Sequence, residues 1–289
     1  MNKIPFNTIE DYLENKDTFK NPAFRDRALR KAQEKLDIDK IDMDDFADLY
    51  DVAKDKEDVQ RMEDIFERED SPEEKENKKL ATVLEAILHE QIEQNCYLGD
   101  DVKTVSTCKF DDIKNGIDQI LEIGDEDEKN AQHLAIAIDA TFSADVHKKI
   151  KKIKEKIKNG KLAVIKYFKS DALHFRGEKG GIPEFVLGVD KKNLENITQL
   201  WLNNENKKLG YHPLHVVILD EILQQAKYYQ NYAEKVGQME ISQKYKELYD
   251  IFIKVKSEKE ELIEEISKNP ENKEKMEEDV VYQSIMQLE

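Results

Sequence analysis

An α/β fold, with a mixed central sheet flanked by helices, is predicted by three observations on this chain of 289 residues. First, the runs LAIAI (134–138) and LAVI (162–165) are continuously apolar, as strands covered on both faces are. Second, strand-like and helix-like patterns alternate through the middle of the chain, in the order helix, three strands, helix, two strands. Third, both ends read as helical, with heptad spacing towards the C-terminus. These divisions predict a helical N-terminal arm (1–77), an α/β core (78–191) and a helical C-terminal region (192–289).

The arm contains FRDRALRKAQEKL (24–36) and MDDFADLYDVA (43–53), which read as short helices, and SPEEKENKK (71–79), which reads as a linker. The run DIDKIDMDD (37–45) resembles a calcium loop but lacks its central glycine and closing glutamate. The core opens with LATVLEAILHEQIEQNC, where Leu80, Val83, Leu84, Ile87 and Leu88 share one helical arc. TVSTCKF, GIDQILEI and HLAIAIDATF read as strands. A helix with Val146, Ile150, Ile153 and Ile157 on its inner face follows, closed by Asn159-Gly160. KLAVIKYF and, after a glycine-rich loop, EFVLGVD read as the last two strands. KNLENITQLWL then gives a helix. Beyond it, Leu219, Ile222, Ala226, Tyr229, Ala233 and Val236 form one heptad seam, and Ile241, Tyr245, Leu248, Phe252, Val255, Leu262 and Ile266 form a second, interrupted at Lys259. Two seams joined at Gly237 predict an antiparallel helical hairpin, packing on itself, on the core or on a second copy. The acidic residues after Pro270 read as a loosely held tail.

Composition narrows the function classes. With 38% charged residues and a mean hydropathy of -0.77, the chain is strongly solvated, and no apolar run approaches the ~18 residues of a membrane span. The N-terminus lacks a signal-peptide stretch, and Cys96 and Cys108 have neither CxxC nor zinc spacing, so free thiols and a cytoplasmic location are expected. A net charge of -17 argues against indiscriminate nucleic-acid binding. Residues 147–169, however, hold ten lysines against Glu155 alone, a local charge of +9 on a chain otherwise at about -26. That stripe predicts either a directed polyanion contact or a solvated helix face.

Two aspartates stand alone in the strand-like runs, Asp118 in GIDQILEI and Asp139 in HLAIAIDATF. A carboxylate at the end of a buried strand is costly unless something satisfies it, and a divalent cation does so well. Glu90 lies at the edge of the apolar arc of the upstream helix, with Glu85 and Glu93 reading as more solvent-facing. The competing readings are helix capping or structural pairing with lysines for Asp118 and Asp139, and an ordinary exposed helix acid for Glu90. Asp111 and Asp112 read as turn residues before Asn115-Gly116, bordering a groove at most. His212 and His215 have i,i+3 spacing but no evident third ligand; His133 reads as a strand-end residue and Trp201 as core.

With an acid on the second strand and an acid ending the third, the order of elements over 78–191 resembles the PD-(D/E)XK, or restriction-endonuclease-like, nuclease superfamily. The matching residues are Asp118 and Asp139-Ala140-Thr141, with Glu90 in place of the glutamate that members often add from the first helix. The resemblance implies Asp118, Asp139 and Glu90 as ligands of Mg2+ or Mn2+. The family's lysine belongs two residues after the second acid, where this chain has Thr141. A substitute would come from Lys148, Lys149, Lys151 or Lys152 on the following helix, or from Lys166 on the next strand. Lys152 and Lys166 are the catalytic candidates; Lys148, Lys149, Lys151 and Thr141 are the substrate-binding ones. The implied activity is metal-dependent phosphodiester hydrolysis of nucleic acid, DNA foremost, contacted through 147–169. The alternative is a catalytically inactive interaction module on the same scaffold, with a protein partner or self-association through helices 214–266.

Overall fold

The computed structural model describes residues 18–124, 134–141, 146–170 and 174–289; for 134–141 the description is of the backbone. His133 lies outside the described residues, as do the side chains of Asp139 and Thr141.

The mixed α/β architecture is present. The arm supplies α1 (Pro22–Leu36), a 3-10 turn (Met43–Phe46) and α2 (Val52–Glu69). Helix α3 runs from Pro72 to Gln94 and therefore absorbs the stretch expected as a linker. Its start is a capping box, in which the Ser71 hydroxyl accepts from the Glu74 amide while the Glu74 carboxylate accepts from the Ser71 amide at 2.7 Å. Strand β1 (Val102–Ser106) follows, then a short helix α4 (Lys109–Asn115), β2 (Gln119–Ile123) and β3 (Leu134–Thr141). The strand expected to reach Phe110 therefore ends at Ser106, and KFDDIKN is a helix rather than a turn. Helix α5 (Val146–Lys158) is placed as expected. It is followed by β4 (Ala163–Ser170), β5 (Phe175–Ile182) and β6 (Glu184–Gly188).

The central sheet has the order β1-β2-β3-β6. Its first three strands are antiparallel neighbours, and β6 lies parallel to β3 after the crossover through α5. Strand β4 is absent from this sheet. It pairs with β5, the stretch expected as a glycine-rich loop, to form a separate hairpin. Alternate residues of β2 serve the two faces: Leu121 and Ile123 join the main core, while Ile120 joins a small cluster with Ile165, Phe168 and Ile182 of the hairpin.

Helices α6 (Lys191–Leu202), α7 (Asn206–Gly210), α8 (Leu214–Lys235), α9 (Met239–Glu258), α10 (Glu260–Lys268), α11 (Pro270–Glu278) and α12 (Val280–Met286) complete the chain. The heptad seams meet within the chain, burying Tyr229, Tyr245, Leu248 and Phe252 completely. The hairpin thus packs on itself and on the sheet.

The hairpin also completes the outer strand of the sheet. Tyr245 Oη accepts from the Glu184 amide at 3.3 Å, Gln225 takes both the amide and the carbonyl of Val186, and Glu221 accepts from the Gly188 amide at 3.0 Å. Alternate residues of β6 are served in this way by side chains where another strand would otherwise be needed. The opposite edge is treated alike, since Glu93 of α3 accepts from the Thr104 amide of β1.

The C-terminal residues are not a loose tail. Asp279, fully buried, accepts from the amides of Asp190, Val281 and Tyr282 and from the Asn193 side chain, and Val281 and Ile285 join the main core. That core draws on the N-terminal, central and C-terminal regions together. No helix among the described residues is long and apolar enough to cross a membrane.

Candidate functional site

A cleft of about 700 Å³ opens between α2, the first half of α3, α4 and α5. Its lining includes Glu85, Asp112, Asp118 and Lys149, and further out Lys75, Lys78 and Lys79 with Glu63, Glu67 and Asp70.

Each inner acid is positioned by a local device. Asp118 sits in the three-residue stretch between α4 and β2. Gly116 ends α4 in the left-handed region at φ 70°, where a side chain would be strained. Thr107 then pins the stretch from the end of β1: its amide donates to the Asp118 carbonyl at 3.1 Å and its hydroxyl to the Ile117 carbonyl. Asp112 is carried by α4 itself. Glu85 comes from α3, and the buried Gln119 donates to its backbone carbonyl at 2.9 Å, tying that turn of α3 to the residue after Asp118.

Asp139 enters through the register. The β2–β3 ladder ends with Gln119 opposite Ile138, so Asp118 and Asp139 each lie one residue beyond that last pair. Asp139 is in turn paired with Val186 of β6. The two aspartates singled out in the sequence therefore lie at the same end of the β2–β3 pair.

The electrostatics match this crowding. Burial, and then the negative charge of Asp112, push the Glu85 carboxyl up to about 8, against the opposing pull of Lys40. Such a carboxyl holds its proton at neutral pH unless a cation takes its place. Among the described residues, no three or more His, Cys, Asp or Glu side chains form a metal-binding group by themselves.

Glu90 does not belong to this site. It is buried, and it lies close enough to Lys31 of α1 to act on that ammonium, while the cleft is lined by Lys78, Thr82 and Glu85. Five residues separate Glu85 from Glu90, or about 140° around the helix. The apolar arc misleads because α3 is buried almost all round in this part, Val83, Leu84, Ala86, Ile87, Leu88 and Ile92 included, so nearness to apolar residues does not identify the cleft side. The i,i+4,i+7 stripe of Lys78, Thr82 and Glu85 was the available signal.

The lysines divide. Lys149 lines the cleft, whereas Lys148 and Lys152 are exposed elsewhere on α5, and Lys151 borders a groove on the other side of that helix. Lys166 is engaged with the arm. It is ion-paired with Asp55 of α2, with its Nζ 5.0 Å from the ring centre of Tyr50 and 4.9 Å from that of Phe110. Asp55 also accepts from the Tyr167 hydroxyl. Replacing Asp55 by alanine leaves a half-enclosed ammonium and a buried phenol without their acceptor. The expected cost is about 1–3 kcal/mol in urea unfolding. A loss below about 0.5 kcal/mol, within the range of ordinary surface substitutions, would show the arm to be held by its apolar contacts alone.

The other candidates are structural. Asp111 is fully buried and accepts from the amides of Lys166 and Tyr167, joining α4 to β4. His212 pairs with Asn196 at 2.9 Å and is pushed down to about 3 by burial; His215 stacks on Tyr97 and is pushed down to about 4 by burial. Both are neutral core residues. Trp201 is fully buried, with Lys31 Nζ 4.3 Å from its ring centre. Cys96 and Cys108 are free thiols.

No family model, no curated protein and no solved structure matches this chain.

Proposed function

We propose that the chain is a metal-dependent phosphodiesterase acting on nucleic acid, DNA foremost, built on a restriction-endonuclease-like core. The observation that carries this reading is that Glu85, Asp112 and Asp118 line one cleft, with Asp139 at the same end of the β2–β3 ladder as Asp118. The order α3-β1-β2-β3-α5-β6 and the mixed sheet β1-β2-β3-β6 support it.

The donor set fits a hard divalent cation. Carboxylate oxygens are the ligands that Mg2+ and Mn2+ prefer, and the Glu85 carboxyl, raised by burial first and by the Asp112 charge second, is one that a cation would return to its charged form. Glu85, Asp118 and Asp139 would hold the ion. When bound, Mg2+ or Mn2+ supplies charge neutralisation at the phosphate and an activated water. Lys149 replaces the lysine that Thr141 does not provide, presenting positive charge from α5 to a phosphate oxygen in the cleft. Lys75, Lys78 and Lys79 stand along the outer wall, where a backbone leaving the site would pass.

The test is thermal unfolding of wild type, Asp118→Asn and Asp139→Asn with increasing Mn2+ or Mg2+, followed by cleavage assays on DNA and RNA. Binding to the native state alone stabilises it by about 2.7 kcal/mol at a hundredfold excess over Kd. The wild-type melting temperature should rise with metal and both variants should fail to follow. An unresponsive wild type would favour the inactive interaction module instead.

A further inference from the structure

The opposite flank of α5 carries a second feature, separate from the acidic cleft. A groove of about 390 Å³ runs between α5 and α8, with Lys151, Lys154 and Lys158 on one wall and Tyr228 and Tyr232 on the other. The three lysines fall at i, i+3 and i+7, so they form one stripe with about one cation per helical turn. Among the described residues no carboxylate forms an ion pair with any of them, on a chain holding 63 acidic residues. Lys156, one position off the stripe, is by contrast paired with Glu184 at 2.6 Å. The tyrosines are partly buried and pack against the main core, each keeping some exposed surface. Lys154 Nζ lies 5.1 Å from the ring centre of Tyr228 and 4.5 Å from that of Tyr232, and it donates to the Tyr228 hydroxyl at 2.7 Å.

Lysines without a carboxylate partner among the described residues, beside partly exposed aromatic rings, are the chemistry that holds a single-stranded nucleic acid. Phosphates take the ammonium groups and an unstacked base takes the ring. A duplex can use only the lysines, because its bases are already stacked on each other. We propose that the α5–α8 groove binds a single-stranded segment of nucleic acid, with phosphates along Lys151, Lys154 and Lys158 and a base stacked on Tyr232. Glu155, which also borders the groove, opposes a phosphate locally, while the lysine contacts make binding salt-sensitive. Since Lys149 faces the acidic cleft from the same helix, a strand held here lies one helix width from that site. The inference takes from the proposed function only that the partner is a nucleic acid, and its test requires no metal and no cleavage.

The experiment is fluorescence anisotropy in excess chelator at low salt with the full chain. The probes are a labelled mixed-sequence DNA strand, the same strand annealed to its complement, and the corresponding RNA strand. The expected result is tighter binding of a single strand than of the duplex, with the DNA and RNA strands identifying the natural source. Tyr232→Ala should weaken single-strand binding roughly tenfold and leave duplex binding nearly unchanged, whereas Tyr232→Phe should retain it. Lys151→Glu combined with Lys158→Glu should weaken both and flatten the salt dependence, since each phosphate contact contributes about 0.7 to the slope for single strands. Circular dichroism of each variant guards against unfolding. Equal affinity for strand and duplex, or indifference of single-strand binding to Tyr232→Ala in a folded protein, overturns the proposal. Loss of metal binding at the acidic cleft with single-strand binding intact would refute the proposed catalytic reading and leave this one standing.

Discussion

Gln225→Leu is expected to destabilise the protein by about 2–5 kcal/mol. Gln225 is fully buried. Its Oε1 accepts from the Val186 amide at 3.0 Å, and its Nε2 donates to the Val186 carbonyl at 2.7 Å. Leucine fills much of the same volume but satisfies neither group. Both backbone groups of Val186 are then left unpaired inside the core, and each such group costs roughly 1–3 kcal/mol.

The neighbouring residue supplies the control. Glu221 is also fully buried, burial pushes its carboxyl well above the ordinary range, and it accepts from the Gly188 amide. Glu221→Gln keeps that acceptor and is expected to change stability by less than about 1 kcal/mol. Urea unfolding measures both variants. Amide exchange at Glu184, Val186 and Gly188 shows whether the loss is local to the edge strand. A Gln225→Leu protein within about 1 kcal/mol of wild type would mean that the rungs between helix and strand contribute little and apolar packing holds the hairpin.

These contacts also mark where sequence periodicity stops being informative. The heptad seams were legible because Tyr229, Tyr245, Leu248 and Phe252 repeat at helical spacing, and they do form the interior of the hairpin. Gln225 and Glu221 sit beside that seam as polar residues, and nothing in their spacing announces that they face a strand edge. Strand β5 was illegible for a related reason. FRGEKGGI has little strand propensity of its own and is held extended by pairing with β4. Helix α4 spans only seven residues, too few for a period to show. The capping box at Ser71 and Glu74 was readable but was outweighed by the charge of the segment that follows it. In the cleft, Asp118 and Asp139 were visible as lone acids in apolar runs. Glu85 was not, because α3 is buried on several faces at once.

Glu85→Gln is expected to change the pH dependence of stability by about 2–4 kcal/mol between pH 5 and pH 9 in the metal-free protein. The folded carboxyl titrates near 8, against 4.5 for an ordinary glutamate. Below 4.5 the group is protonated in both states and contributes no pH dependence. Between 4.5 and 8 the native state binds the proton and the unfolded chain releases it, so wild-type stability falls as pH rises. Above 8 the native carboxylate is charged beside Asp112, and the full cost is present. Glutamine removes this contribution without changing the shape of the side chain. The variant should therefore match wild type near pH 5 and exceed it at pH 9, as measured by urea unfolding in chelator. Parallel curves across that range would show that Glu85 is ordinarily ionised, and the crowding of acids in the cleft would lose its thermodynamic support. A divergence that closes when Mn2+ is added to wild type would tie the same carboxyl to cation binding, since an ion in the cleft offsets the repulsion that the glutamine removes.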